Sequence, residues 1–151
     1  RRDPLARAVR PEKVTLAALA ATLGLYRAGR ATTEIPVWRM ISASPDELRR
    51  RAAAVIDALP DSARGRVAVT TMISAVGGGS LPGETLDSVG LGVAGPGAAT
   101  LAARLRTGEP TVIGRVEDRA VRLDLRTVDP ADDEALAGAL ARALAAPASR
   151  S

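Results

Sequence analysis

The sequence predicts an α+β fold in which a small antiparallel or mixed sheet packs against helices on one face. Three observations predict it. Segments with apolar residues at helical spacing are interspersed with segments in which apolar and polar residues alternate. The strand-like segments of the second half come in two pairs, each joined by a turn-forming stretch. The length of 151 residues suits one domain with a sizeable core.

The first helix is predicted to start at Pro11 and to end near Gly29. Its apolar residues share one face: Leu16, Leu19, Leu23 and Tyr26. The next segment, IPVWRMI at 35–41, predicts a short strand with Pro36 near its start.

A second helix is predicted to begin after Ser44. We expect Ser44 to be the N-cap, Pro45 the first helical residue and Glu47 the partner that completes a capping box. The residues expected to face the core lie at i, i+4, i+7 and i+11: Leu48, Ala52, Val55 and Leu59. The three arginines at 49–51 fill other faces, and we expect a solvated surface there rather than an RNA contact.

Two strands are predicted on either side of a glycine-rich loop. The first, RVAVTTMIS at 66–74, places four residues on one side: Val67, Val69, Thr71 and Ile73. The second alternates valine or leucine with serine or glycine over residues 88–93, so one face of this strand carries almost no side-chain atoms. We therefore expect a backbone segment or a neighbouring element to approach that face closely.

The last third predicts a helix, a hairpin and a final helix. The helix covers 95–108, with Gly108 as its stop. TVIGRV and AVRLDL flank EDR at 117–119 and predict the hairpin. Beyond the turn, apolar and charged residues alternate, and the charged ones should face water: Arg122, Asp124 and Arg126. The final helix starts at Asp129 and Pro130, and three leucines are expected to face the core: Leu136, Leu140 and Leu144.

Composition excludes several kinds of site. Cysteine and histidine are absent, which removes disulfides, thiolate metal sites and the commonest general base, and we expect no metal site. The net charge is +4, but only one of the 21 basic residues is lysine, which indicates a coding bias toward arginine rather than a nucleic-acid partner. Tyr26 and Trp38 are the only aromatic residues, too few to stack bases. No signal peptide or long apolar run is present, so we expect a cytoplasmic protein.

The glycine-rich stretch ISAVGGGSLPGE, at 73–84, fails both nucleotide-binding fingerprints. The spacing from Gly78 to Gly83 fits a P-loop, but Glu84 stands where lysine is required. A G-x-G-x-x-G pattern that starts at Gly77 ends at Pro82. The stretch therefore predicts a wide strand-to-strand turn with a positive φ at one or more glycines.

The remaining charged residues do not form an obvious catalytic site. Lys13 lies in the first turn of a helix, where a surface role is expected rather than a Schiff base. The acidic residues at 132–134 suit a helix N-terminus, and Asp124 is expected on the wet face of its strand. Arg7 and Arg10, three residues apart, could clamp an oxyanion or form a solvated basic face.

Five stretches, in order, carry a resemblance to a known family: DPLARAVRPEKVTLAALAATL, EIPVWRMI, SPDELRRRA, VGGGSLPGE and VIGRVEDRAVRLDLRTVDPADDEAL. Together they resemble the C-terminal part of the bacterial selenocysteine synthases, the L-seryl-tRNA(Sec) selenium transferases. The match runs over essentially the whole chain, and its most specific pieces are R-A-x-R-x-x-K-x-T-L-A-A-L, G-G-G-S-L-P-G and V-I-G-R.

The resemblance implies the small C-terminal domain of a fold-type I enzyme that depends on pyridoxal 5'-phosphate. Such enzymes convert serine on tRNA(Sec) to selenocysteine by eliminating water and adding selenium from selenophosphate, with the cofactor as electron sink. The family's Schiff-base lysine lies upstream, in a D-K-L-x-G-G-P-Q-type motif, and Lys13 is not its counterpart. We therefore expect no catalytic residue in this chain, which should be inactive alone.

The same resemblance assigns candidate site residues. Arg7 and Arg10 occupy the positions of an Arg-x-x-Arg pair that faces the active site and binds the phosphate-like group of selenophosphate. The family's glycine loop implies a structural role for four residues, at an interface or an active-site edge: Gly77, Gly78, Gly79 and Ser80. The implied partners are seryl-tRNA(Sec), selenophosphate and further copies of the chain, a decamer in the full-length family, with no membrane.

The domain organisation implied has three parts. Residues 1–30 form a helical entry segment that connects to an upstream catalytic domain, 31–146 form the α+β C-terminal domain, and 147–151 form a flexible tail. Because the sequence starts at Arg1, we expect a fragment of a longer chain.

Two alternatives stay open at this point. The chain could be the small domain of another fold-type I lyase or transferase that acts on a free amino acid, because fold alone does not separate these activities. It could also be a stand-alone basic module that binds RNA or serves as a scaffold without catalysis.

Overall fold

The computed structural model describes residues 11–76, 83–95 and 97–145. The chain separates into two compact units, Arg1–Ser42 and Ala43–Ser151. The expected division into an entry segment, a domain and a tail stays a prediction.

From residue 11 onward, the first unit contains three helices: α1 (Lys13–Arg27), α2 (Ala31–Glu34) and α3 (Pro36–Ser42). The indole N–H of Trp38 donates a hydrogen bond to the hydroxyl of Tyr26, which links α3 to the end of α1. No residue of α1 is buried among the described residues. The expected apolar stripe of α1 is therefore about half exposed: Leu16, Leu19, Leu23 and Tyr26.

The strand predicted at 35–41 is wrong, because α3 occupies this segment. Pro36 is its first residue, where the fixed φ of proline favours a helix and the missing N–H costs nothing. Arg39 N–H donates to the carbonyl of Ile35 at 3.0 Å, one helical turn back. A run of seven mostly apolar residues is too short to distinguish a strand from a helix by periodicity.

The second unit contains four helices among its described residues: α4 (Pro45–Asp57), α5 (Asp61–Arg64), α6 (Ala98–Thr107) and α7 (Asp133–Ala145). The predicted N-cap is confirmed, since the hydroxyl of Ser44 accepts a hydrogen bond from Glu47 N–H at 3.2 Å. Gly108 is the C-cap of α6, as predicted. None of the helices that the structure describes has the length and apolar character needed to cross a lipid bilayer.

The sheet has four antiparallel strands in the order β1 (Ala68–Ala75), β2 (Thr85–Ala94), β4 (Ala120–Asp124) and β3 (Arg115–Glu117). The predicted hairpin is confirmed as β3 and β4, joined at Asp118 and Arg119, both with positive φ. The α+β class with an antiparallel sheet is therefore confirmed.

One face of the sheet and the helices of the second unit share a single hydrophobic core. Cross-strand partners point to the same face, so Leu91 of β2 joins Leu123 of β4 in this core. The leucines predicted to face the core in α7 are buried there, as is the predicted stripe of α4: Leu48, Ala52, Val55 and Leu59. At the edge of the described sheet, β1 leaves Val69 39% and Ile73 61% exposed.

The close approach expected at the bare face of β2 is confirmed. A Cβ atom at Gly90 would overlap the carbonyl oxygen of Leu123 and lie 3.0 Å from Cα of Asp124. A Cβ atom at Gly92 would lie 3.4 Å from Nη1 of Arg122, which crosses the strand there. Glycine at these positions lets β4 and its side chains come close to β2.

The solvated surface expected at 49–51 is wrong for one of the three arginines. The side chain of Arg51 is only 14% exposed and forms an ion pair with Asp133 of α7, with Nη2 2.7 Å from Oδ1. It also donates to the carbonyl oxygens of Leu125 and Val128, each at 3.1 Å. Arg51 thus joins α4 to the start of α7 and to the segment before it.

We expect Gly90→Ala to lower the free energy of unfolding by about 2–3 kcal/mol, because the added methyl group overlaps backbone that cannot move aside. Urea unfolding measures the loss. Gly65→Ala is the matched control: its Cβ has open space, its φ is −67°, and its effect should stay within about 0.5 kcal/mol. Equal stability of the two variants would contradict the close approach.

Candidate functional site

The outer face of the sheet, opposite the core, collects polar side chains from all four strands. By the strand register this face carries Thr70 and Ser74 of β1, Ser88 of β2, and Arg122 and Asp124 of β4. On β3 it carries Arg115 and Glu117. We call these seven residues the outer polar face. They form the strongest candidate site among the described residues.

The carboxylate of Asp124 lies at the centre of this face. Its Oδ1 accepts hydrogen bonds from the hydroxyl of Ser88 at 2.6 Å and from the backbone N–H of Arg126 at 3.0 Å. Its Oδ2 accepts from the hydroxyl of Ser74. Ser88 is 2% and Ser74 9% exposed, so the carboxylate satisfies two hydroxyls that have little access to water. The wet environment expected for Asp124 is therefore wrong.

Arg126 extends the network away from Asp124. Its side chain was expected to face water, but the residue is only 6% exposed. Nη1 donates to the carbonyl oxygen of Ala43 at 2.8 Å, and Nη2 donates to that of Asp87. The strand alternation ends at Asp124, where the chain turns into a 3₁₀ helix over Leu125–Thr127, and this change of period explains the error.

A cavity of about 250 Å³ opens on the outer polar face. Arg115, Arg122, Ser74 and Asp124 supply its polar lining together with Thr127. Nη1 of Arg122 donates to the hydroxyl of Thr70 at 2.7 Å. The cavity is therefore lined by two arginines and by one carboxylate that accepts three hydrogen bonds.

The glycine-rich loop starts beside this cavity. Ala75, which lines it, pairs with Thr85 at the ends of β1 and β2, and Val76 N–H donates to the carbonyl of Glu84 at 3.3 Å. Gly83 has a φ of 88°, so the predicted strand-to-strand turn with a positive φ is confirmed at that glycine. No helix begins within the described part of this connection, as expected for a turn rather than a phosphate-binding loop.

A second cavity, of about 440 Å³, lies between the segment before β3 and the start of α7. Its lining is mainly apolar, with Val112, Leu123 and Leu136, and its acidic members include Asp129 and Asp132. In the described ranges no group of three histidine, cysteine or acidic residues could hold a metal ion.

The residues assigned by resemblance are not in the described part of the chain. Arg7 and Arg10 precede residue 11, and Gly77, Gly78, Gly79 and Ser80 fall in the gap at 77–82. Their roles stay predictions. Lys13 is exposed in the first turn of α1, the surface position expected for it.

Comparison with known proteins identifies the family. Residues 1–129 match the family model described as SelA, L-seryl-tRNA selenium transferase. The chain belongs to this family. The resemblance predicted from the five sequence stretches is confirmed, and neither alternative is favoured.

Two relatives of this chain carry the name of the family. An L-seryl-tRNA(Sec) selenium transferase of Nitratidesulfovibrio vulgaris is 45% identical over 152 residues, which cover 95% of this chain and 32% of the relative. Another, of Moorella thermoacetica, is 42% identical over 93% of this chain and 31% of its own length. The chain thus spans about a third of the length of the curated relatives it matches.

The central role of Asp124 was missed by sequence reasoning. Its position in a strand of alternating charged and apolar residues indicated a solvated side chain. The one available signal was Ser88, a small hydroxyl between apolar residues on a strand with a bare face, which is typical of a polar group that is buried with a partner.

We expect Asp124→Ala to lower the free energy of unfolding by about 2–3 kcal/mol, because two enclosed hydroxyls and one backbone N–H lose their acceptor. Asp124→Asn should cost less, since its amide can still pair with both hydroxyls. Urea unfolding compares these variants with Asp57→Ala, which removes an exposed carboxylate at the end of α4 and should change stability by less than about 0.5 kcal/mol. Unchanged stability of Asp124→Ala would show that the network is not stabilising.

Proposed function

We propose that this chain forms part of an enzyme that converts seryl-tRNA(Sec) to selenocysteinyl-tRNA(Sec) with selenophosphate, a step of selenocysteine biosynthesis and hence of protein biosynthesis. The observation that supports this function is the family match over residues 1–129, together with relatives of that name aligned along 93–95% of the chain. Because the chain spans about a third of those relatives, the activity is proposed for the longer protein.

The cofactor we propose is pyridoxal 5'-phosphate, held by residues outside this chain. The described residues do not fit its covalent attachment, because Lys13, the single lysine, is exposed on a helix without buried residues. A Schiff-base lysine needs a site that lowers its pKa and excludes water, and an exposed helical turn offers neither. We therefore infer that the chain alone is inactive.

Within this enzyme, Arg7 and Arg10 are proposed to bind the phosphate-like group of selenophosphate. Arginine suits the role because its planar guanidinium group presents two parallel N–H donors to a tetrahedral oxyanion. The pair shortly precedes α1, which begins at Lys13. Support comes from the family motif in which the two residues stand.

The glycine-rich loop is proposed to be a structural element bordering an interface between subunits or the active site. Its supports are the family motif and the two paired strands from which it extends. We further propose that the full-length protein acts in the cytoplasm as a homo-oligomer, a decamer.

The experiment that tests the function measures selenium transfer by the full-length protein with seryl-tRNA(Sec) and selenophosphate. The expected product is selenocysteinyl-tRNA(Sec), formed only when pyridoxal 5'-phosphate is present. No transfer, with turnover of a free amino acid instead, would assign the protein to the fold-type I lyases or transferases that act on free amino acids.

In the full-length enzyme we expect Arg7→Ala and Arg10→Ala each to raise KM for selenophosphate about 10-fold or more, because a hydrogen bond to a charged group contributes roughly 1.5–3 kcal/mol. Arg7→Lys and Arg10→Lys should also be impaired, since lysine does not provide the paired donors. Steady-state kinetics at saturating seryl-tRNA(Sec) measure the change.

Arg50→Ala is the control for this pair, because it removes an exposed arginine from α4. Its KM for selenophosphate should equal that of the unmodified enzyme. A KM that is unchanged in both Arg7→Ala and Arg10→Ala would exclude the assignment.

A further inference from the structure

The described part of the first unit has no buried core of its own. None of residues 11–42 is buried, and every buried apolar residue that the structure describes lies in the second unit. An isolated helix as short as α1, with 15 residues, is only marginally stable in water, because most helical stability in proteins comes from packing. The first unit therefore depends on a surface that these residues do not supply.

One side of α1 has the pattern of a helix that packs against another element. Apolar residues occupy the positions i, i+3, i+7 and i+10, which is the spacing of a helical seam. We call these residues the apolar stripe: Leu16, Leu19, Leu23 and Tyr26. Their side chains are 48–54% exposed. Residues 14–26 contain no charged side chain, so burial of the stripe would not remove a charge from water.

The two aromatic residues of the chain meet at the end of the apolar stripe. Trp38 of α3 is 39% exposed and donates its indole N–H to the hydroxyl of Tyr26. Tyrosine and tryptophan are enriched in protein interfaces, because each combines a large apolar surface with a polar tip. Trp38 therefore extends the surface that the stripe presents.

The size of this surface favours a partner within the same polypeptide. A stable interface between separate molecules buries roughly 800 Å² on each partner, more than five partly exposed side chains present. Two surfaces of one polypeptide need less area, because their covalent connection gives them a high effective concentration. This chain covers only 32% and 31% of two relatives, so most of the length of such proteins lies outside it.

We propose that the apolar stripe of α1, together with Trp38, packs against an apolar surface in the part of the full-length protein that lies outside this chain. The inference rests on the proposed function in one respect, because that function places the chain in a longer polypeptide. It adds the surface through which the first unit joins the rest of that polypeptide.

The test measures thiol reactivity in the full-length protein. This chain contains no cysteine, so Leu19→Cys adds a single thiol to it, and peptide mass spectrometry follows its alkylation by iodoacetamide. Ala21→Cys is the matched control, because Ala21 is exposed and lies on the side of α1 away from the stripe. We expect alkylation at residue 19 to be at least about 10-fold slower than at residue 21, since a buried thiol is inert. Equal rates would overturn the proposal.

A photo-cross-linker identifies what covers the stripe. The full-length protein is made with p-benzoylphenylalanine in place of Leu16 and irradiated. We expect a cross-link to a peptide outside the 151 residues of this chain, in a product that keeps the mass of one polypeptide on a denaturing gel. A product of twice that mass would assign the stripe to contact between two copies, and a cross-link within the 151 residues would assign it to this chain. Either result would overturn the proposal.

The result can be separated from folding and from enzymatic activity. If Leu19→Cys does not fold, Leu23→Cys repeats the measurement at the next position of the stripe, against the same control. Neither readout needs turnover. Selenium transfer by a protein in which the thiols at residues 19 and 21 react equally fast would overturn this inference alone. Slow alkylation and the expected cross-link without selenium transfer would support it while the proposed function fails.

Discussion

The carboxylate of Asp124 is the contact on which the outer side of the sheet depends. It joins β1 through Ser74, β2 through Ser88 and the following 3₁₀ turn through the N–H of Arg126. Through Arg126 the network reaches the carbonyl of Ala43, just before α4. The apolar core holds the inner face by burial, which is not directional, whereas the hydrogen bonds of this polar network join specific positions of three segments on the outer face.

The elements that were predicted correctly are those whose structure is determined by residues close together in the sequence. The α4 stripe repeats over about three turns, and the turn at Asp118 and Arg119 separates two alternating strands. The segment at 35–41 is too short for its period to be read, and its helix was missed. Arg51 was misplaced because its partner Asp133 lies 82 residues away, beyond the reach of any local pattern.

The same distinction applies to the candidate site. The family was predictable because several motifs occur in order, and the close approach to Gly90 was predictable from an alternation with no side chain on one face. The network around Asp124 was not, because Ser74 lies 50 residues from it along the chain. Arg115 lies opposite Arg122 because of the register of the hairpin, which the two-residue turn sets and which no sequence motif shows.

The position of β1 at the sheet edge affects how this chain behaves in concentrated solution. Its eight residues, AVTTMISA, include neither proline nor a charged side chain, and one row of backbone N–H and C=O groups has no strand partner among the described residues. Natural edge strands usually carry charges or bends that discourage pairing between molecules. Without them, copies of the isolated chain can add to one another strand by strand, so self-association is the main hazard when the chain is purified on its own.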